Sequence, residues 1–383
     1  HPGGRPLTHA AAVAFPLAAQ LALAAPGADA WQRAEIGGVR GITVGPIENG
    51  YHPGVGYGSP AYARTLREAR AMGATWVAIT PFGRAAGLAC AGVDWTFEAP
   101  YAKNRRDVER AIDMAHADGL RVLLVPQLWL ESPGAWRGEI DPGTDGGWAR
   151  WSESYERFIL GWARVAEDAR AEMFSVGVEL RSWVTTPRAP SFEAIVANVR
   201  RAYHGLVTYS ANWDDVEHTV ILGQLDVIGI NGFYPLAEQP GASEDLLSDG
   251  GRAVRVKVHA LAQRWQRPVL FTETGYTTRA DPAVRPWEWP EALGGVRPNE
   301  RAQEIAYRAL LGPMLDEPDF AGFFVWRVYA DPDDVSQEPP WGFSPRGKRA
   351  ELVVRDAFAS RWACDPWWRP AWGDGAFVPG VYR

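Results

Sequence analysis

Short apolar runs recur along the chain, and stretches with apolar residues at helical spacing separate most of them. The runs are rich in β-branched and aromatic residues, as strands buried on both faces are. They predict eight strands, at residues 39–45, 75–80, 121–125, 173–178, 206–210, 225–230, 268–272 and 320–325. The helical stretches lie at residues 59–73, 104–118, 148–172, 192–203, 253–265, 299–315 and 348–362. This alternation predicts a parallel sheet, and the eight repeats predict its closure into a single-domain α/β fold, the (β/α)8 TIM barrel.

The two ends of the chain differ in composition from these repeats. Residues 1–30 contain an arginine, an alanine-rich apolar run and the small-residue sequence Ala28-Asp29-Ala30, a pattern that resembles a signal peptide with its cleavage site. The alternative is an alanine-rich approach to the first strand. The sequence therefore predicts a lead segment at residues 1–30, a secreted or periplasmic protein, and one barrel domain at residues 31–383. The tail of that domain, residues 365–383, is rich in Trp, Pro and Gly.

Composition narrows the class of partner. The chain has 383 residues, with 39 Lys and Arg against 46 Asp and Glu, a net charge of −7. Without a basic block or a long apolar run, this balance argues against nucleic acid or a membrane as partner. Among the 19 Trp and 12 Tyr, tryptophans in loops suit stacking on the apolar faces of sugar rings. We therefore expect a monomer with a polysaccharide or oligosaccharide substrate, and the sequence leaves open whether Cys90 and Cys364 pair.

Two of the predicted strands lead to a glutamate. Residues 173–178 are followed by Glu179, and residues 268–272 are followed by Glu273. A carboxylate has no packing reason to end an apolar strand, and in a barrel of parallel strands these ends carry the catalytic groups. The alternative is a structural ion pair at the barrel mouth. Two glutamates on one rim are the equipment for hydrolysing a glycosidic bond, so the pair predicts a catalytic domain.

Polar and aromatic side chains follow the other strand ends: Gln127, Trp129, Asn212, Trp213, Asn231, Tyr234 and Trp326. Trp326 is predicted to form the floor under a sugar ring, or else to be a core tryptophan below the last loop. Tyr234 either hydrogen-bonds the catalytic nucleophile or is a loop aromatic. Asn212 either binds a sugar hydroxyl or caps the helix that follows, and Trp213 beside it is a further substrate contact. Trp129 either contacts substrate or packs under the next loop.

The sequence predicts neither a metal site nor a cofactor. The histidines are scattered, with no pair at ligand spacing. Asp331, Asp333 and Asp334 form an acidic cluster, but it lacks the glycine and the distal glutamate of a calcium loop, and a solvated acidic loop is the better interpretation. No Walker or dinucleotide-binding glycine pattern appears.

Several segments together resemble one known family. They are residues 177–180 (Gly-Val-Glu-Leu), 271–276 (Phe-Thr-Glu-Thr-Gly-Tyr), 342–351 (Gly-Phe-Ser-Pro-Arg-Gly-Lys-Arg-Ala-Glu) and 72–82 (Met-Gly-Ala-Thr-Trp-Val-Ala-Ile-Thr-Pro-Phe). With these motifs, residues 38–362 resemble glycoside hydrolase family 113 of clan A. The resemblance implies a (β/α)8 barrel that hydrolyses β-glycosides with retention of configuration, chiefly β-1,4-mannans, in the manner of an endo-β-1,4-mannanase.

The resemblance also implies roles for single residues. Glu179 would be the acid/base and Glu273 the nucleophile. Tyr234 and Trp326 stand where the clan has its nucleophile-binding tyrosine and its sugar-stacking tryptophan.

One departure concerns Val178, at a position where many members of the wider clan carry Asn. Asn212 is then our candidate for binding the sugar 2-hydroxyl. The insert at residues 281–297 is rich in Trp and Pro, which keeps another β-glycan open as substrate. The alternative from another functional class is a non-catalytic carbohydrate-binding barrel, but such a protein would have no need of the carboxylate pair.

Overall fold

Eight parallel strands close into a barrel in the computed structural model, which describes residues 38–45, 52, 54–97, 99–289, 296–331 and 339–364. The described strands are β1 Val39–Val44, β2 Trp76–Ile79, β3 Phe82–Ala85, β4 Arg121–Leu124, β5 Gln127–Leu130, β6 Met173–Val178, β7 Leu206–Asn212, β8 Ile228–Asn231, β9 Val269–Thr274 and β10 Phe320–Val328. Around the barrel the order is β1-β10-β9-β8-β7-β6-β4-β2. The predicted fold class is confirmed.

Helices lie between most neighbouring barrel strands. They are α1 Pro60–Ala71, α2 Tyr101–Ala117, α3 Asp145–Asp168, α4 Arg181–Val184, α5 Ala189–Ala202, α6 Glu244–Trp265, α7 Glu300–Leu315 and α8 Arg349–Ala359. Ser59 caps α1, because its hydroxyl accepts a hydrogen bond from the Tyr62 N–H at 3.1 Å. Between β7 and β8 the chain forms only the short 3-10 turns Val216–His218 and Val220–Gln224.

Helix α6 begins well before its predicted start at residue 253. The sequence did not indicate this first part of the helix because it contains two glycines. A Cβ added at Gly251 would lie 2.0 Å from the carbonyl oxygen of Ala309 in α7, and one added at Gly250 would lie 2.1 Å from the carbonyl oxygen of Leu236. Glycine at these positions therefore lets other backbone segments approach the helix closely. This tertiary contact outweighs the low helix propensity of glycine.

A two-stranded parallel sheet extends the barrel rim, and the sequence did not predict it. The chain continues past β2 and β4 through Pro81 and Pro126, and then β3 pairs with β5, Phe82 opposite Gln127 and Ala85 opposite Leu130. Proline has no N–H to give to the barrel ladder, and each of these barrel strands ends two residues before its proline. Gln127 is thereby the first residue of a rim strand.

Alternate residues of each barrel strand point to opposite faces. In β2, Trp76 and Ala78 belong to a cluster with residues such as Leu123, Leu270 and Phe324 from other strands, all buried, whereas Val77 and Ile79 belong to the larger core. We assign the first cluster to the barrel interior, which is filled by side chains. A filled interior leaves the carboxyl ends of the strands as the place for a cleft.

The described residues contain no helix that is both long and apolar enough for a membrane span. Cys90 is a free cysteine and forms no bridge to Cys364. It is half-buried, and burial raises the pKa of its thiol. Residues 1–30 and the tail at residues 365–383 lie outside the described residues, and export of the chain stays a prediction.

Candidate active site

Glu179 and Glu273 stand at the carboxyl ends of β6 and β9. Glu179 directly follows β6 with a φ of 52°, and its backbone N–H donates to the Ser210 carbonyl at 2.9 Å. A non-glycine residue in this left-handed region costs on the order of 1 kcal/mol, and such backbone strain clusters at functional sites. Both glutamates are buried, and both line one cleft of about 490 Å³. The structure thus brings the two predicted catalytic carboxyls together.

Both carboxyl oxygens of Glu179 accept hydrogen bonds from side chains. Asn231, which ends β8, donates from Nδ2 to Oε1 at 2.8 Å, and Trp136, from the loop after β5, donates from Nε1 to Oε2 at 2.9 Å. The Arg137 Nε lies 3.6 Å from Oε2. Thr272 Oγ1 donates to Asn231 Oδ1 at 3.0 Å, which directs the Asn231 amide N–H towards Glu179. These contacts fix the orientation of the Glu179 carboxyl.

Gln127 positions the carboxyl of Glu273. Its Nε2 donates to Glu273 Oε1 at 2.8 Å, and its Oε1 accepts from Arg137 Nη1 at 3.3 Å. Burial and the negative charge of Glu179 raise the pKa of Glu273 from 4.5 to about 8, against the lowering effects of Arg137, Gln127 and Arg327. The two carboxyls are therefore electrostatically coupled, and the pair retains a proton at neutral pH.

Two carboxyls that share one proton offer an acid and a base to the same bond. The protonated group can protonate a glycosidic oxygen, while the ionised group attacks the anomeric carbon or activates water. Arg137 contacts both Glu179 and Gln127, so its positive charge offsets part of the repulsion in the pair. The arrangement is suited to the hydrolysis of a glycosidic bond.

Three of the predicted substrate contacts, Asn212, Trp213 and Trp326, line the same cleft as the two glutamates. Trp213 stacks on Trp287 of the insert, with ring centroids 5.2 Å apart and the ring planes at 24°. Trp326 lies in β10 and is partly exposed, whereas its neighbour Val325 is fully buried. An exposed face on the cleft favours the sugar floor over the core alternative for Trp326.

Asn212 ends β7, and its Nδ2 donates to Asp214 Oδ1 at 2.8 Å. The position before the next 3-10 turn belongs to Asp215, so the alternative in which Asn212 caps a following helix is wrong. The amide remains at the cleft wall, where sugar binding by Asn212 stays a prediction.

Tyr234 and Trp129 lie outside the lining of this cleft. Tyr234 is buried against Trp213 and Phe271, with ring centroids 5.7 and 5.8 Å away. Among the residues that the structure describes, the side chain that hydrogen-bonds Glu273 is Gln127, and the same role for Tyr234 stays a prediction.

Trp129 lies on rim strand β5, with 46% of its surface exposed. It lines a separate hollow of about 430 Å³ formed by residues 128–137, and Trp136 and Arg137 line both this hollow and the cleft. The structure therefore does not bring Trp129 beside the glutamates. A bound chain would have to extend past Trp136 to reach it.

Other cleft residues had no predicted role, and most of them come from loops: Trp136, Arg137, Arg181, Asp214, Phe233, Trp287 and Phe343. The sequence did indicate Gln127 and Asn231 as rim residues, because each follows a predicted strand. It contained little indication of a role for Trp136 and Arg137, since their loop has no periodic pattern. The Trp- and Pro-rich composition of the insert was the only sign of Trp287.

Tertiary structure also gathers three side chains that the sequence separates. His259, Glu317 and Asp319 have potential ligand atoms within 4.8 Å of one another. Arg255 pairs with Glu317 at 3.1 Å, and Gln263 donates to Asp319 at 2.8 Å, so N–H donors already occupy these carboxylates. An ion network at the amino end of β10 is therefore the better interpretation. Of the acidic cluster, Asp333 and Asp334 lie outside the described residues.

Comparisons with known proteins agree with the geometry. The family model for Glycoside Hydrolase Family 113 matches residues 51–338. The solved β-mannanase of this family from Alicyclobacillus acidocaldarius is 26% identical, with 85% of this chain and 98% of that chain covered and a TM-score of 0.72. Another β-1,4-mannanase of the family is 24% identical, with 85% and 100% covered and a TM-score of 0.72.

More distant structures share the fold. A glycoside hydrolase of family 5, subfamily 18, from Bifidobacterium longum subsp. infantis is 13% identical, with 84% of this chain and 80% of that chain covered and a TM-score of 0.55. In a search of curated proteins, no match was found.

Proposed function

The chain belongs to glycoside hydrolase family 113, and from this premise we propose that it hydrolyses β-1,4-linked mannan with retention of configuration. The observation that carries this proposal is the buried pair Glu179 and Glu273, coupled in charge and open to one cleft. The mannan substrate is supported by the β-mannanase from Alicyclobacillus acidocaldarius, which covers most of this chain. A binding protein without catalysis would have no reason to bury two repelling carboxyls.

In the proposed mechanism Glu179 protonates the glycosidic oxygen, and Glu273 attacks the anomeric carbon to form a glycosyl-enzyme. Glu179 then removes a proton from water, which hydrolyses the intermediate. Asn231 and Trp136 hold Glu179 in place, while Gln127 holds Glu273. Trp326 supports the sugar ring whose bond is broken.

The proton held by the carboxyl pair of the free cleft is the one that the proposed mechanism uses. Because the pKa of Glu273 is raised to about 8, the coupled pair of carboxyls retains one proton before substrate binds. In the proposed mechanism this proton is on Glu179 when the glycosidic bond breaks. A shared proton can move between two coupled carboxyls, whereas the side from which each carboxyl reaches the sugar is fixed by its strand.

A panel of β-glycans tests the substrate. The purified protein should release reducing sugar from mannan and glucomannan, and release from xylan and chitosan should be at least about 100-fold slower. Reducing-end release is measured at equal polymer mass. Faster hydrolysis of xylan or chitosan would contradict the mannan proposal but keep the glycosidase. No hydrolysis of any β-glycan would contradict the enzyme proposal.

Trp326→Ala should lower kcat/KM about 10- to 100-fold, because the sugar ring loses an apolar platform in both the ground state and the transition state. Kinetics per folded molecule with a mannan oligosaccharide provide the measurement. Trp265→Ala is the matched control, since Trp265 ends α6 at the opposite end of the barrel. Unchanged kinetics together with a lower melting temperature in Trp326→Ala would place Trp326 in the core instead.

A further inference from the structure

The indole that binds Glu179 does not come from a barrel strand, so other contacts must hold it there. Trp136 lies in the loop before the 3-10 turn Arg137–Glu139. A Cβ added at Gly138 would lie 2.3 Å from the Trp136 ring, so only glycine leaves room for the indole in this position. The guanidinium carbon of Arg181 lies 4.5 Å from the centroid of the Trp136 ring.

Arg181 is itself held by two carboxylates. Its Nε donates to Asp215 Oδ2 at 2.7 Å, and its Nη2 donates to Asp214 Oδ1. Asp215 is buried, and Asp214 also accepts from the Asn212 amide. A guanidinium fixed on two sides keeps its planar face available for stacking on an aromatic ring.

The same two chain segments are tied by a second contact. Arg181 begins the short helix α4, two residues after Glu179, and the adjacent Ser182 donates from Oγ to the carbonyl of Ile140 at 2.6 Å. Ile140 directly follows the turn that carries Gly138. The segment after Glu179 and the loop of Trp136 therefore form one unit.

We propose that Arg181, held by Asp214 and Asp215, is a positioning residue that keeps the Trp136 indole N–H on Oε2 of the acid/base Glu179. This inference rests on the proposed function. An indole N–H can only donate. Its hydrogen bond strengthens as Glu179 gives its proton to the leaving group and becomes negative, so it favours the transition state over the ground state. The Arg181–Trp136 pair thereby assists the acid-catalysed step.

The test compares two substrates that differ in their need for acid. A mannan oligosaccharide leaves as a sugar alkoxide and needs protonation, whereas a 2,4-dinitrophenyl β-mannobioside leaves without it. In Arg181→Met and in Trp136→Phe, kcat/KM for the oligosaccharide should fall about 10-fold more than kcat/KM for the dinitrophenyl substrate, the worth of one charge-assisted hydrogen bond. The ratio of the two values does not depend on the folded fraction, so partial misfolding cannot mimic the result.

Arg188→Met is the matched control. The Arg188 guanidinium carbon lies 5.4 Å from the Trp148 ring centroid, and Arg188 pairs with Asp145 at 2.8 Å, the same kind of contact outside the cleft lining. Its substrate ratio should equal that of the wild type. Arg181→Lys, which keeps the charge but loses the planar stack, should give an intermediate ratio.

Equal losses on both substrates in Arg181→Met and Trp136→Phe would overturn the positioning role and leave only a structural one. A wild-type protein that hydrolyses neither substrate nor any other β-glycan would contradict the proposed function instead. The two failures are therefore distinguishable in the same experiment.

Discussion

Glu179→Ala should form a glycosyl-enzyme that it cannot hydrolyse. With a dinitrophenyl leaving group the first step survives, because departure of that group needs no proton. The second step lacks its base, so the intermediate accumulates and turnover falls about 10²- to 10⁴-fold. Azide needs no base, and it should restore turnover while giving a β-glycosyl azide of retained configuration. Proton NMR of the product and mass spectrometry of the protein make the measurement.

Glu273→Ala should fail in a different way. Without the nucleophile no covalent intermediate forms, and turnover should fall about 10⁴-fold or more. The small side chain leaves space for an anion on that face of the sugar. Azide bound there should attack from the α face and give the inverted glycosyl azide.

Glu131→Ala is the control for both variants, because Glu131 is a largely exposed glutamate of the rim that pairs with Arg84 at 3.3 Å. It should hydrolyse all substrates at the wild-type rate. If the azide products of the two cleft variants are exchanged, the roles of Glu179 and Glu273 are reversed. Unimpaired hydrolysis by either variant would remove that glutamate from the mechanism.

Glu273→Gln should abolish hydrolysis and yet stabilise the protein above neutral pH. The pKa of Glu273 is raised from 4.5 to about 8, so the folded protein holds this proton more tightly than the unfolded chain does. The wild type therefore loses stability as the pH rises from about 4.5 to about 8, whereas the neutral amide does not titrate. The amide oxygen of the variant would still accept the hydrogen bond from Gln127, so the packing of the site is kept.

We expect a stability gain on the order of 2–4 kcal/mol for Glu273→Gln at pH 9, and a difference near zero at pH 4. Urea unfolding at both pH values measures it. Glu153→Gln, at an exposed surface pair with Arg157, is the control and should change stability by less than about 0.5 kcal/mol at either pH. A Glu273→Gln variant that is less stable than the wild type at pH 9 would contradict the raised pKa.

The sequence by itself determined the barrel and the two carboxyls. A short apolar run followed by a stretch with apolar residues at helical spacing is a local sequence pattern. Eight such repeats are compatible with few folds. Glu179 and Glu273 were identifiable because a charged residue after an apolar strand contradicts its surroundings. Asn231 and Gln127 had the same signature of position, although their hydrogen-bond partners did not follow from it.

Only the tertiary structure decided which loop residues serve the pair. Trp136 follows Glu131 and other loop residues without any periodic pattern, and its contact with Glu179 joins positions 43 residues apart. Nothing in the sequence distinguishes Arg181 from a surface arginine. The fold brings Asp214 and Asp215, which follow β7, into contact with it. Trp129 was predicted to contact substrate because it follows a predicted barrel strand. After Pro126, however, the chain leaves the barrel and forms the rim strand β5, which carries Trp129. The packing of segments that are distant in sequence determines where a loop places its side chains. A local pattern of polar and apolar residues contains no information about that packing.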